Sequence, residues 1–180
     1  MGTGSIRIPM VDPATATGRA KEIFEGPLKG KAFNIFKRMA ASPAVLDVYL
    51  GMSGALNHAS LSMKEREVIQ LAIGAANNCD YCEAAHTVIG KGAGLTDAQT
   101  VEARKGTLAD VKLNALAKFA LALQEKKGFV SDADFAAFTK AGYTPAQAGE
   151  VVATYSLALF TNYFNHMNNT PIDFPTVAKV

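Results

Sequence analysis

The stretch from residue 67 to residue 86, EVIQLAIGAANNCDYCEAAH, constrains the fold more than any other part of the sequence. Its first half is apolar at almost every position of the helical turn, which predicts a central helix buried nearly all round. The pair Asn77-Asn78 then interrupts the pattern, and Asn favours helix caps over helix interiors. We therefore predict a helix to about residue 76, a break, and a second helix from Cys79 to about Lys91.

The remaining segments repeat one pattern, a helix-start signal followed by apolar residues at helical spacing. No segment alternates between apolar and polar residues over a useful length, so no strand is predicted. We expect an all-α bundle in a single helical domain of residues 1–180, with residues 1–12 as an N-terminal arm and residues 170–180 as an extended C-terminal tail. The predicted starts of the other helices are Asp12-Pro13, Ser42-Pro43, the capping box at Ser62, Thr96, Asp110, Ser131 and Thr144.

Composition and charge exclude several classes of protein. A hydrophobic share of 49% and a charged share of 19% are those of a folded chain. The net charge of +2 comes without a block of Lys and Arg residues, so we expect no nucleic-acid partner and no anionic membrane surface. No apolar run reaches the roughly 18 residues of a membrane span. The N-terminus carries no secretory signal, which predicts a cytoplasmic protein.

The two cysteines of the chain, Cys79 and Cys82, are spaced Cys-x-x-Cys, and His86 follows on the same helical face. Cysteines three positions apart can form a disulfide across one turn, and a helix N-terminus favours the thiolate. His86 lies one turn beyond Cys82, close enough to exchange a proton with it, whereas the helix start alone would favour Cys79. We give the nearby base more weight and predict that Cys82 is the activated thiol and Cys79 the resolving one.

Glu67 is a lone carboxylate in the apolar run, and Gly74 on the same stripe leaves room for a pocket wall. A partly desolvated carboxylate suits proton transfer, but a solvated residue on the helix surface is an equally good interpretation of Glu67 alone. For the cysteines, the alternatives to a redox pair are a metal site and inert packing. Cys79, Cys82 and His86 supply only three ligands, so we predict no bound metal.

Two further residues are candidates for the pocket. Tyr81 lies between the cysteines and either packs or donates its hydroxyl near the pocket. His166 is the second candidate, although histidines such as His58 and His166 are more often structural than functional.

These residues resemble the signature of a known family. Glu67, the segment Cys79-Asp80-Tyr81-Cys82 and the pair Ala85-His86 look like the motif of the AhpD-like alkylhydroperoxidases, within the carboxymuconolactone decarboxylase superfamily. The lead-in at residues 61–67 and the terminal stretches 160–166 and 173–175 resemble the peroxidase-related branch, so the likeness spans about residues 33–175.

The resemblance implies an AhpD-like helical fold that assembles into trimers or hexamers. Such a homo-oligomer would also cover the two helices that are apolar on nearly every side. The resemblance further implies thiol-dependent reduction of alkyl hydroperoxides, with electrons from a dithiol carrier such as a lipoylated protein. Cys82 would attack the peroxide oxygen and form a sulfenic acid, which Cys79 would resolve as a redox-active disulfide with no other cofactor. Glu67 and His86 would form the proton relay.

One position departs from the family pattern. The best-known peroxidases of the family carry a His immediately before the second cysteine, and this chain has Tyr81 there. Tyrosine is no base near neutral pH, so the relay is shorter, and peroxidase activity would be weaker or directed at another substrate. The decarboxylase branch does not rely on this cysteine pair, which disfavours lactone decarboxylation. We therefore predict an antioxidant thiol peroxidase. The alternatives are a general disulfide reductase or redox sensor, and a non-catalytic or metal-binding helical assembly.

Overall fold

The computed structural model describes residues 7–180, and within that range the chain forms nine helices and no strand. The all-α class predicted from the sequence is confirmed. The helices are α1 (Gly18–Glu25), α2 (Asn34–Met39), α3 (Pro43–Leu56), α4 (Met63–Ala76), α5 (Asp80–Gly92), α6 (Asp97–Lys105), α7 (Val111–Glu125), α8 (Asp132–Lys140) and α9 (Pro145–Asn168).

Helix α4 lies at the centre of the bundle, where it packs against α5, α6, α7 and α9. Every residue from Glu67 to Gly74 is buried, as the apolar run predicts for a central helix. Each Å² of apolar surface removed from water stabilises the fold by roughly 25 cal/mol, so burial on all sides holds this helix firmly. α4 therefore gives the buried carboxylate of Glu67 a defined position.

Side-chain caps begin most of the helices where the sequence predicts them. Ser62 accepts a hydrogen bond from the backbone N–H of Glu65, and the Glu65 carboxylate accepts one from the N–H of Ser62. This reciprocal pair satisfies two backbone donors that a helix start otherwise leaves without partners. The same arrangement begins α6 at Thr96, α8 at Ser131 and α9 at Thr144, and Asp110 caps α7.

The helix start predicted at Asp12-Pro13 is wrong. The Asp12 side chain accepts a hydrogen bond from the N–H of Ala14, and the N–H of Thr15 donates to the Asp12 carbonyl, so these residues form a turn. A side chain that binds the backbone two residues further on competes with helix formation. Helix α1 therefore begins only at Gly18.

Both ends of the described chain pack on α2. On the N-terminal side, Arg38 donates to the carbonyl of Ile8, while the first six residues of the predicted arm lie outside the described residues. On the C-terminal side, the tail continues without helix beyond α9, and Asp173 accepts a hydrogen bond from the N–H of Asn34. The tail is therefore anchored at the start of α2, and the single-domain organisation stays a prediction.

Helix α9, with 24 residues, runs beside α3, α4, α5 and α7. One side of it is buried, whereas Val152, Tyr163 and Met167 are exposed. These exposed apolar side chains agree with the expected homo-oligomer, which remains a prediction. Within residues 7–180, no helix combines the length and the hydropathy needed to cross a membrane.

Candidate active site

The junction between α4 and α5 turns the chain back on itself. Asn78 adopts the left-handed conformation, with a φ of 55°, which Asn tolerates better than most residues. The N–H of Cys79 donates to the carbonyl of Gly74 at 2.9 Å. This hydrogen bond spans five residues, as in the Schellman motif that commonly ends a helix. A Cβ added to Gly74 would lie 3.5 Å from the Cβ of Cys82, so the two helices pack closely at this point. The predicted break therefore brings the first turn of α5 against the last turn of α4.

A disulfide joins Cys79 to Cys82, whose Cα atoms are 5.2 Å apart. Cys79 occupies the N-cap position of α5, and the N–H of Cys82 in the first turn donates to Cys79 Sγ at 3.4 Å. Both residues are buried. The partial positive charge at a helix N-terminus favours a thiolate, so either sulfur is well placed to carry negative charge when the bond is reduced.

The carboxylate of Glu67 binds the imidazole of His86 across the contact between α4 and α5. Oε2 and Nδ1 are 2.7 Å apart, and the two side chains are only 10% and 16% exposed. An ionised carboxylate can only accept, so opposite it Nδ1 is the donor, and in the neutral imidazole Nε2 then keeps a free lone pair. Glu67 is therefore a buried partner of His86 and not a solvated surface residue. Gly90 packs beside it, and a Cβ there would make an ordinary contact of 3.6 Å with the Cβ of Glu67.

A cavity of about 440 Å³ brings these groups together. Cys82, Glu67 and His86 all line the cavity, whereas Cys79 does not, so Cys82 is the one of the two bonded cysteines that forms part of the wall. The volume and the mostly apolar wall suit a small organic molecule. Aromatic side chains in the wall are Phe33, Phe36, Tyr49, Tyr81 and Phe174.

Tyr81 joins this wall to the C-terminal tail. Its hydroxyl donates to Asp173 Oδ1 at 2.7 Å and accepts from the N–H of Ile35 at 3.4 Å. Burial, assisted by the neighbouring Asp173 carboxylate, raises the pKa of Tyr81. The phenol therefore stays protonated at neutral pH and serves as a hydrogen-bond donor. Its ring packs edge-on against Phe174, with the ring centroids 5.6 Å apart.

Comparison with known families identifies the central part of the chain. Residues 43–126 match the model described as the carboxymuconolactone decarboxylase family. This segment is similar to that family. It runs from α3 to α7 and includes Glu67, Cys79, Cys82 and His86, so the resemblance noted in the sequence is confirmed. A comparison of the sequence with curated proteins gave no significant match.

Solved structures share the fold over nearly the whole chain. An uncharacterized peroxidase-related protein from Ralstonia eutropha JMP134, described as an alkylhydroperoxidase AhpD core, has a TM-score of 0.83 and 22% identity, over 95% of this chain and 94% of that one. A peroxidase-related protein from Silicibacter sp. TM1040 has a TM-score of 0.79 and 19% identity, over 92% and 89%. The debrominase Bmp8, solved as a cysteine-to-alanine variant with 2,3,4-tribromopyrrole, has a TM-score of 0.77 and 16% identity, over 94% and 92%. These similarities establish the AhpD-like all-α fold.

Some residues that reach the site lie outside the segment matched to the carboxymuconolactone decarboxylase family. Asn165 on α9 donates from Nδ2 to Cys82 Sγ at 3.4 Å. Asp173 and Phe174 of the tail contact Tyr81, as described above. Sequence reasoning treated α9 as apolar core and the tail as a simple extension, and so missed all three. One signal was present in α9, a recurrence of buried amide side chains at helical spacing: Asn162, Asn165 and Asn168.

Two candidates predicted for the pocket lie outside the cavity wall. His166 is exposed on α9, with its ring centroid 6.5 Å from that of Tyr163, and it does not line the cavity. Gly74 supports Cys82 from behind and is not part of the cavity wall. In the part of the chain that the structure describes, no three His, Cys, Asp or Glu side chains are grouped so as to hold a metal ion.

Proposed function

We propose that this protein reduces organic hydroperoxides with the dithiol of Cys79 and Cys82. The observation that carries the proposal is the shared cavity, onto which Cys82 and the Glu67–His86 pair both open. A small apolar peroxide in that cavity would meet a thiol and a proton-transfer group together. The peroxidase-related proteins that share the fold support this choice of reaction.

In the proposed reaction, the Cys82 thiolate attacks the terminal oxygen of the hydroperoxide. A sulfur–oxygen bond forms as the oxygen–oxygen bond breaks, which oxidises Cys82 to a sulfenic acid and reduces the peroxide to an alkoxide. The alkoxide takes up a proton and leaves as the alcohol. The Cys79 thiol then attacks the Cys82 sulfur, which forms the disulfide and releases water. Two electrons thereby pass from the dithiol to the peroxide.

His86 is the proposed proton carrier of this reaction. Its Nε2 has the free lone pair, so it can accept the proton of the Cys82 thiol and return one to the departing alkoxide. Glu67 accepts from Nδ1, which fixes the tautomer and stabilises the imidazolium that forms. Tyr81 stays protonated, so the relay consists of two residues.

An external dithiol would complete the cycle. One of its thiolates would attack Cys82 Sγ, because Cys82 and not Cys79 lines the cavity, and would release the Cys79 thiol. Its second thiol would then displace Cys82 and carry away the new disulfide. A dithiol arm such as that of a lipoylated protein has the reach and the apolar stem that a 440 Å³ apolar cavity would accept. A trimeric or hexameric assembly in the cytoplasm belongs to the same proposal.

Thiol titration tests the reaction directly. Reduced protein treated with one equivalent of cumene hydroperoxide should lose two thiols, and dihydrolipoamide should restore both. Sustained peroxide consumption with dihydrolipoamide would distinguish a peroxidase from a redox sensor, which would react once and stop. Thiol counts that excess peroxide leaves unchanged would rule out both.

Single-cysteine variants test the two roles. Cys82→Ser should abolish turnover, whereas Cys79→Ser should trap a sulfenic acid on Cys82 that dimedone labels. The opposite pattern of labelling would reverse the assignment of the attacking and resolving thiols.

Reductive dehalogenation of an aromatic compound is the second candidate. It is favoured by the aromatic side chains of the cavity and by the fold shared with the debrominase Bmp8. Exchange of an aryl bromine for hydrogen would consume the same two electrons, release bromide and leave the Cys79–Cys82 disulfide. Bromide release from 2,3,4-tribromopyrrole, measured beside peroxide consumption, would show which substrate the reduced protein prefers.

A further inference from the structure

We propose that Asn165 is a catalytic residue of this site, with a side-chain amide that stabilises the Cys82 thiolate and orients the hydroperoxide against it. The inference rests on the proposed reaction, in which Cys82 is the attacking thiol. It adds a group from the far end of the chain, since Asn165 follows Cys82 by 83 residues.

The contact between the amide and the sulfur is the first support. Asn165 Nδ2 lies 3.4 Å from Cys82 Sγ, and Asn165 itself is 4% exposed and lines the cavity. Among the hydrogen bonds of residues 7–180, this is the side-chain donor that reaches Cys82 Sγ. Cys79 Sγ instead receives the backbone N–H of Cys82. Of the two sulfurs, the one that belongs to the cavity-lining cysteine therefore has a side-chain donor among the described residues.

The charge of the reduced state explains what this donor would do. In the disulfide, the sulfur is neutral and the hydrogen bond is weak. Once the bond is reduced and Cys82 loses its proton, the same N–H points at a full negative charge, and a hydrogen bond to an ionised partner is roughly twice as strong as a neutral one. Asn165 therefore favours the thiolate of Cys82 over its thiol and makes Cys82 the more reactive cysteine of the pair.

The amide oxygen of Asn165 provides the second observation in support of the inference. Asn165 Oδ1 is buried and finds no hydrogen-bond partner among residues 7–180, and a buried acceptor in that state is destabilising. A hydroperoxide bound against Cys82 has one O–H group, which would give this oxygen its partner. One side chain would then donate to the attacking sulfur and accept from the peroxide. This arrangement would hold the terminal oxygen beside the sulfur before the bond forms.

The pH dependence of alkylation tests the first role. In the reduced Cys79→Ser protein, iodoacetamide should react with Cys82 about tenfold more slowly at neutral pH after Asn165→Ala, because the thiolate loses its donor. The midpoint of the pH profile should move to higher pH. Asn165→Asp keeps the shape of the side chain but replaces the donor with an anion, so its midpoint should move further. Asn168→Ala is the matched control, a buried amide on the same helix that donates to the Phe164 carbonyl and should leave the profile unchanged.

These measurements need no peroxide, so they distinguish a failure of this inference from a failure of the proposed function. A midpoint that stays in place in both folded Asn165 variants would overturn the inference. If neither variant folds, the wild-type protein provides the test through the NMR resonances of the Asn165 side-chain amide. They should shift as Cys82 titrates in the reduced protein, and resonances that do not move would refute the contact.

Steady-state kinetics tests the second role. Asn165→Ala should lower kcat/KM for cumene hydroperoxide about a hundredfold, more than the loss in alkylation, because the peroxide also loses its acceptor. A loss equal to that seen with iodoacetamide would overturn the role in orienting the peroxide.

Discussion

Two walls of the cavity come from different kinds of chain segment. One wall, here called the relay wall, is made by α4 and α5 and carries Glu67, Cys82 and His86 within one short stretch of sequence. A second wall, here called the closing wall, combines the segment of α2 and α3 with the C-terminal tail, which lie far apart in the chain. Its aromatic side chains are Phe33, Phe36, Tyr49 and Phe174, and α9 lines the cavity as well.

The difference lies in how each wall is held. Adjacent helices, a disulfide and the Glu67–His86 hydrogen bond fix the relay wall. The closing wall depends on Asp173, which accepts from the N–H of Asn34, 139 residues earlier, and from the hydroxyl of Tyr81, 92 residues earlier. Segments near a chain end with few buried contacts open at a lower free energy than a central helix. We therefore expect the proposed chemistry on the relay wall and access to the cavity through the looser closing wall.

The largest effect on stability is expected at Arg104, which contacts both the relay wall and the C-terminal tail. Arg104 donates to Glu83 of α5 at 3.4 Å and to the carbonyl of Ala178 in the tail at 2.7 Å, and its side chain is only 4% exposed. Arg104→Met would leave the buried Glu83 carboxylate with Lys179 alone, whose Nζ is also 3.4 Å away, and should lower the free energy of unfolding by about 3 kcal/mol, the low end for breaking a buried ion pair. Urea unfolding measures this change.

A double variant separates the charge from the packing at Arg104. Arg104→Met combined with Glu83→Gln removes the unpaired charge as well, so it should recover part of the lost stability. The usual effect of a surface substitution on the free energy of unfolding is within about 0.5 kcal/mol. An effect that small for Arg104→Met alone would show that the two walls are not coupled through Arg104.

The relay wall itself provides the next largest effect. Glu67→Gln puts an amide opposite His86 Nδ1, and an amide N–H donated to Nδ1 would leave the imidazole proton on Nε2. Peroxide turnover should fall about a hundredfold, which is typical for loss of general acid–base catalysis, while the fold is retained. Initial rates with cumene hydroperoxide measure the loss. Glu125→Gln, an exposed carboxylate at the end of α7, should behave as the wild type, and equal rates in both variants would remove Glu67 from the relay.

A smaller effect on stability is expected where α9 forms hydrogen bonds to the segment that precedes α4. The Glu150 carboxylate accepts from the N–H groups of Ser60 and Leu61, both at 2.8 Å, just before α4 begins. Burial opposes the charged form, but these donors prevail and lower the pKa of Glu150 below its ordinary value of 4.5. Its contribution to stability is therefore complete above pH 4.5 and is lost as the pH falls through the lower value of the folded state.

Glu150→Gln tests that dependence on pH. At neutral pH the variant should lose about 1 kcal/mol of unfolding free energy. The difference from the wild type should become smaller when the pH falls below the range in which carboxyl groups ordinarily titrate. Denaturant unfolding at several pH values measures it. A difference that stays constant down to acid pH would show that packing, and not the charge of Glu150, fastens α9.

The relay wall was largely predictable from the sequence because its signals are local. The capping box at Ser62, the apolar run of α4 and the break at Asn77-Asn78 each act within a few residues, and all are present in the structure. The spacing of the cysteines and His86 on one helix follows from the same short-range geometry. The pairing of Glu67 with His86 could not be derived in this way, because it depends on the angle at which α5 returns beside α4.

The closing wall was not predictable, because its contacts join segments that lie far apart in the sequence. Phe174 reaches the cavity, and Asp173 reaches Tyr81, only because the tail lies across α2 and α5, and no local pattern specifies that path. Asn165 left a weak signal as a buried amide on an apolar helix, but its partner could not be named without the packing of α9 on α5. The helix start predicted at Asp12 is an error of the opposite kind. There a local sequence signal was present, but it stabilises a turn and not a helix.

The smallest effect is expected at the hydroxyl that joins the tail to the relay wall. Tyr81→Phe removes the hydrogen bond to Asp173 but keeps the ring against Phe174. Loss of one hydrogen bond costs about 1 kcal/mol, so amide hydrogen exchange in the tail should become about fivefold faster, while exchange in α4 stays unchanged. Because the pKa of Tyr81 is raised and the phenol is no base, kcat for peroxide should stay the same.

The same variant distinguishes the two walls most sharply. Faster exchange in the tail with an unchanged kcat would show that the closing wall moves independently of the chemistry. Tyr163→Phe, an exposed tyrosine on α9, is the matched control and should change neither quantity. Equal acceleration in α4 and in the tail would mean that both walls open as one cooperative unit, and a tenfold fall in kcat would give the Tyr81 hydroxyl a part in the relay. Either result would remove the distinction between a rigid chemical wall and a looser wall that controls access.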